Sequence, residues 1–138
     1  MRYTQLFERY RDVVLLVARV LLVILFVVFG WDKFLNFSGT VSYMESAGLP
    51  FATLAAASAL IMELVVGVAI LLGFYTRPLA LALAVYTLIT ALIGHRFWAL
   101  TGGLRFDTVI HFYKNVSIAG GLLLLCLSGP GKYSLDKR

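Results

Sequence analysis

The sequence predicts an all-α polytopic membrane protein: a four-transmembrane-helix antiparallel bundle with a short interfacial helix in its first outer loop. Three observations carry this. Hydrophobic residues make up 61% of the 138 residues and the mean hydropathy is +0.91, which excludes a soluble domain with a single anchor. The apolar residues fall into four stretches, Val13 to Gly30, Phe51 to Phe74, Pro78 to Gly94 and Val109 to Ser128, and each approaches the roughly 20 residues that an α-helix needs to cross about 30 Å of hydrocarbon. Finally, the stretches are apolar throughout, whereas a barrel strand would alternate; with no water to satisfy the backbone, helices are the remaining solution.

The first stretch follows Arg2, Arg9 and Arg11, as a signal peptide would, but it carries Arg19 and ends in Phe29-Gly30-Trp31 without a small-x-small cleavage site, so it reads as a retained helix. Between Trp31 and Pro50, Phe34, Phe37, Val41 and Met44 recur at helical spacing while Ser38, Ser42 and Glu45 take the other side. That pattern suits a short helix lying in the outer interface, stopped by Gly48 and Pro50. The Phe74 to Arg77 connection is so short that the second and third helices must be antiparallel neighbours, with Pro78 suited to a first helical turn. The loop from His95 to Thr108 holds Phe97, Trp98 and Phe106, residues of a membrane interface, with Gly102 and Gly103 leaving room for a turn. No linker divides the chain, and residues 1–138 read as one membrane domain.

Basic residues collect at one end: Arg2, Arg9, Arg11, Arg77, Lys132, Lys137 and Arg138, against Lys33, Arg96 and Arg105 in the other loops. The positive-inside rule then puts both termini in the cytoplasm of a multi-pass protein of the bacterial inner (plasma) membrane. The net charge of +5 is scattered along membrane ends, which favours the lipid bilayer as partner and not nucleic acid. Cys126 has no second thiol in the chain, which excludes an intramolecular disulfide or a dithiol mechanism.

Stripes of small and polar residues indicate the inward faces. Ala55, Ala59, Glu63 and Gly67 recur every fourth residue on the second helix; Arg19, Phe26, Gly30 and Lys33 share a face of the first; Ala84, Thr87, Ala91 and His95 of the third; His111, Asn115 and Ala119 of the fourth. If the first and second helices start level at Val13 and Phe74, Arg19 lies about 9 Å deep and Glu63 about 16 Å deep. The sequence therefore suggests a buried ion pair between Arg19 and Glu63, since either charge alone in lipid costs at least about 2.5–3.5 kcal/mol. Such a pair either fixes which helices are neighbours or makes Glu63 a proton or ligand site. A second group, Asp32, Lys33, His95, Arg96, Trp98, His111, Lys114 and Asn115, gathers at the outer end as a candidate pocket for the head of a quinone or lipid, with a histidine as proton donor. Two histidines with a loose carboxylate form no recognisable metal or haem spacing, and no catalytic motif is recognised.

Arg19 with Phe26, Gly30 and Lys33, then Glu63-x-x-x-Gly67, Leu72-Gly73-Phe74-Tyr75-Thr76-Arg77 and the closing Gly129-Pro130-Gly131-Lys132-Tyr133-Ser134-Leu135-Asp136, together resemble the DoxX family of small four-helix membrane proteins. His95-Arg96-Phe97-Trp98 and Phe112-Tyr113-Lys114-Asn115 fit its bacterial inner-membrane members. The resemblance implies an accessory or quinone-interacting component of a membrane redox system. A lone cysteine then requires a bound quinone or a redox partner protein, so an oxidoreductase subunit is expected rather than an autonomous enzyme. Two other readings stay open: a small transporter or proton-coupled carrier using Glu63 and Arg19, built as a homo-oligomer to make room for a path, and a structural or assembly protein without ligand.

Overall fold

The computed structural model describes residues 2–136. Its elements are α1 (Tyr3–Leu35), α2 (Phe37–Ser46), α3 (Ala52–Leu60), a π-helical turn (Ile61–Val65), α4 (Val66–Leu72), α5 (Thr76–Gly94), a short 3₁₀ turn (Phe97–Ala99) and α6 (Gly102–Ser128). Four helical segments are long and apolar enough to cross a membrane: α1, the α3–π–α4 run, α5 with the 3₁₀ turn, and α6. Strands are absent among the described residues.

The 33 residues of α1 make a rod of about 50 Å, longer than the hydrocarbon, so its charged first turns stand outside the apolar stretch. Asn36 ends α1 and starts α2, its Oδ1 accepting the Gly39 N–H at 3.2 Å, an N-cap of the usual kind. Along α2, Phe37, Val41 and Met44 are half-buried and Ser38, Ser42 and Glu45 exposed, the amphipathic division expected of it. Phe34 is the exception, exposed and stacked on Trp31.

Lipid supplies no hydrophobic drive between helices, so association rests on close packing through small residues. Gly30 is the tightest such point: a Cβ there would lie 2.6 Å from the Leu64 backbone nitrogen. Gly67 faces Phe26 and Val27 one crossing further on. On the other side of the bundle Ala80, Leu83 and Ala84 of α5 pack in one core with Ala119, Leu122 and Leu125 of α6. The anticipated inward stripes are buried at Arg19, Phe26 and Gly30, at Ala59 and Gly67, at Ala84, Thr87 and Ala91, and at Ala119, but His111, expected on the inward face of the fourth helix, is exposed. Large apolar residues such as Leu21, Leu54, Leu124 and Leu127 are exposed, as a lipid-facing surface requires.

Gly73 closes α4 with a left-handed C-cap (φ 72°); the Phe74 N–H reaches the Ala69 carbonyl and the Gly73 N–H the Ile70 carbonyl, a Schellman arrangement. The C-terminal tail then folds back across this end. Leu135 N–H donates to Leu72 O at 3.1 Å, Asp136 N–H to Gly73 O at 2.8 Å, and Lys132 N–H to the Asp12 carboxylate at 2.9 Å. The tail ties α1, α4 and α5 together at the end that bears both termini.

Candidate functional site at bilayer depth

Glu63 sits on the π-helical turn, where widened winding sets its side chain between α1 and α5. Its Oε2 meets the Lys33 ammonium at 3.0 Å and its Oε1 the same group at 3.3 Å. Tyr86 of α5 donates its hydroxyl to Oε2 at 3.4 Å. The carboxylate side chain is 12% exposed and the lysine 24%, so the pair is shielded yet not sealed. Lys33 also stands over the Phe29 ring, 6.0 Å from its centroid.

The expected ion pair of Arg19 with Glu63 is corrected by this geometry. Gly30 beside Leu64 and Phe26 beside Gly67 fix an antiparallel register in which Arg19 lies opposite the Phe74 region, about 16 Å along the axis from Glu63. The apolar run beginning at Val13 had suggested a register about 9 Å different; the close helix approach at Gly30, and not the start of the run, decides it. Arg19 instead donates to the carbonyl oxygens of Pro130 at 2.6 Å and Tyr133 at 2.5 Å, and at 1% exposure it is buried beneath the tail.

The anticipated outer group is likewise divided. His95 and His111 stack with ring centroids 5.4 Å apart, and Lys114 Nζ lies 3.2 Å from His111 Nδ1. Asn115 turns instead to Thr90, at 3.4 Å. Trp98 enters an aromatic cluster with Phe97 and Phe112. Lys33 leaves the outer group for Glu63. Asp32 and Arg96 are exposed, and neither side chain forms a hydrogen bond to another described residue. One polar centre thus lies midway along the α3–π–α4 span, and a second, histidine-based one lies beyond it, where His95 follows α5 and stacks on His111 of α6.

Tyr86 is the residue of this centre that sequence reasoning passed over. The signal was available: tyrosine favours membrane interfaces, while Tyr86 falls about 15 Å along α5 from Thr76, where its hydroxyl needs a partner. The i, i+4 relation of Tyr86 to Thr90 extends the polar face toward Asn115 and the histidines.

The DoxX family model matches residues 14–96. The chain belongs to the DoxX family. It is 50% identical over 132 residues to inner membrane protein YphA of Escherichia coli (strain K12), covering 96% of this chain and 94% of that protein. It is 42% identical over 130 residues to inner membrane protein YqjF of the same organism, covering 94% of this chain and 95% of that protein. An uncharacterized membrane protein of Mycobacterium tuberculosis, Rv3486, is 35% identical over 101 residues, covering 68% of this chain and 61% of that protein. No solved structure matches. The DoxX match takes in Arg19, Lys33, Glu63, Tyr86 and His95 and stops short of His111 and Lys114, so the whole bilayer-depth centre falls within the family region.

Proposed function

We propose that this DoxX protein is an accessory, quinone-interacting component of a membrane redox system in the bacterial inner membrane, with both termini cytoplasmic. The observation that carries the proposal is the Lys33–Glu63–Tyr86 centre, a carboxylate between an ammonium and a phenol on a π-helical turn. Ionisable groups at such depth are costly and serve pathways or ligands, and π-turns gather at functional sites. The residues fit a quinone head. The Lys33 ammonium has N–H donors to spare beyond Glu63, the single Tyr86 O–H could turn from Glu63 to a quinone carbonyl, Glu63 can accept or return a proton, and the surrounding helix faces are apolar.

A quinone would supply the two-electron chemistry. This chain's residues would bind the head, orient it and move protons through the Glu63 carboxylate. Cys126 is the sole cysteine, so electrons would enter from a partner protein bearing a redox centre. The carrier reading loses support because Arg19, one of its two charges, is engaged with the tail.

The test is mass spectrometry of small molecules and proteins that co-purify with the chain in mild detergent, for wild type, Glu63→Gln and His95→Ala. The proposal expects a quinone retained by wild type and lost from Glu63→Gln. Folded wild-type protein free of quinone and of any oxidoreductase would overturn it.

A further inference from the structure

At the end bearing both termini, away from the Glu63 centre, a cleft of about 610 Å³ opens between α1, the α4–α5 turn, the end of α6 and the tail. Two arginines, Arg11 and Arg77, line it. Arg77 is held in place: its Nη1 donates to the carbonyls of Cys126 at 3.3 Å and Leu127 at 2.6 Å, satisfying the bare C-terminal carbonyls of α6. Its Nε and Nη2 lie along the backbone of Gly129, where a Cβ would come within 3.2 Å and 3.1 Å of them, and neither has an acceptor among the described residues. Arg11 is exposed and makes a single long contact of 3.5 Å to the Ser128 carbonyl, leaving most of its donors free.

The acid in the cleft does not bond to either arginine. Asp136 spends its two oxygens on the N–H groups of Tyr75 at 2.6 Å and Thr76 at 3.0 Å. The surroundings match a lipid headgroup. Tyr75 and Phe74 are exposed and packed edge to face, as interfacial aromatics are, and the side chain of Leu127, whose carbonyl Arg77 holds, is exposed. A phosphate fits the guanidinium donors by charge-assisted bonds, and acyl chains can follow the apolar helix surface beside it.

We propose that the Arg11–Arg77 cleft is a binding site for the phosphate of an anionic phospholipid. A free phosphate offers the same chemistry, so the experiment separates the sources. Native mass spectrometry of the full chain in detergent measures retention of phosphatidylglycerol, of phosphatidylcholine, and of phosphatidylglycerol in the presence of inorganic phosphate. Phosphatidylglycerol should be retained in preference to phosphatidylcholine, resist millimolar phosphate, and fall about fivefold to tenfold with Arg11→Gln. Arg105→Gln, at the opposite end, should leave it unchanged. Because Arg77 also caps α6, Arg77→Gln is read only alongside a melting curve, and Arg11→Gln decides the matter alone. Equal retention of the two lipids, retention unaffected by Arg11→Gln, or complete displacement by inorganic phosphate would each overturn the lipid assignment.

Discussion

Arg19 is the one buried charged side chain among the described residues, and it is held by carbonyl oxygens, with no carboxylate in bonding reach. Two short bonds to Pro130 and Tyr133 make it the bolt that fastens the tail to the bundle. Hydrogen bonds to a charged group contribute about 1.5–3 kcal/mol each. Arg19→Gln is expected to cost about 2–3 kcal/mol in detergent unfolding and to speed hydrogen exchange at the Leu135 and Asp136 amides, which bond to Leu72 and Gly73. Unchanged exchange there would show that the tail holds without Arg19. The Lys33–Glu63 pair calls for a double-mutant cycle. Glu63→Gln and Lys33→Met should each destabilise, and the double variant should lose less than their sum by about 1 kcal/mol or more, because each single change strands a charge in a shielded place. Additive losses would mean that the two groups do not interact. That Arg19 and Glu63 fall within apolar stretches was legible in the sequence. Their pairing was not, since a side chain's partner depends on helix register to within a turn.

At the scale of elements, Gly30 sets the register. An added methyl there would meet Leu64 backbone atoms at 2.6 and 2.8 Å, too close for any rotamer change to relieve. Gly30→Ala should therefore push α1 from the π-helical turn, cost about 1–3 kcal/mol, and weaken the Lys33–Glu63 contact; a melting curve matching wild type would contradict that role. The inward faces were readable because small residues must line any close helix contact in lipid, as Ala59, Gly67, Ala84 and Ala91 do. The π-helical turn was not, because its extra residue per turn leaves the apolar composition of Ile61–Val65 unchanged. The start of α1 was equally hidden: the charged residues before Val13 are helical although they belong outside the apolar stretch.

The whole molecule has two differently built ends. One is closed by the tail, the other carries the histidine pair and aromatic cluster above Glu63. Asp136 links the closed end to solution pH. Burial works to raise its carboxyl, but the N–H groups of Thr76 and Tyr75 and the nearby Arg19 outweigh that and hold it below the usual carboxylate range. A folded value below the unfolded one means that Asp136 stabilises the fold above about pH 4 and loses that contribution as pH falls through the folded value. The melting temperature of Asp136→Asn should accordingly lie below wild type at neutral pH and converge with it in acid. A gap that persists below the folded value would assign the effect to something other than ionisation. Four spanning helices and an amphipathic outer helix could be anticipated from hydropathy; the tail's return could not, because Pro130 to Asp136 is held by backbone and side-chain bonds to residues more than fifty positions away.

We propose that the Lys33–Glu63–Tyr86 centre receives a quinone head. The most direct measurement is light-induced cross-linking of a photoreactive quinone analogue to the purified chain, followed by peptide mapping with excess unlabelled quinone as competitor. Competable label is expected in the segments around Glu63 and Tyr86, reduced at least about tenfold in Glu63→Gln. Label that is spread over the lipid-facing helices, resists competition and is indifferent to Glu63 would contradict it.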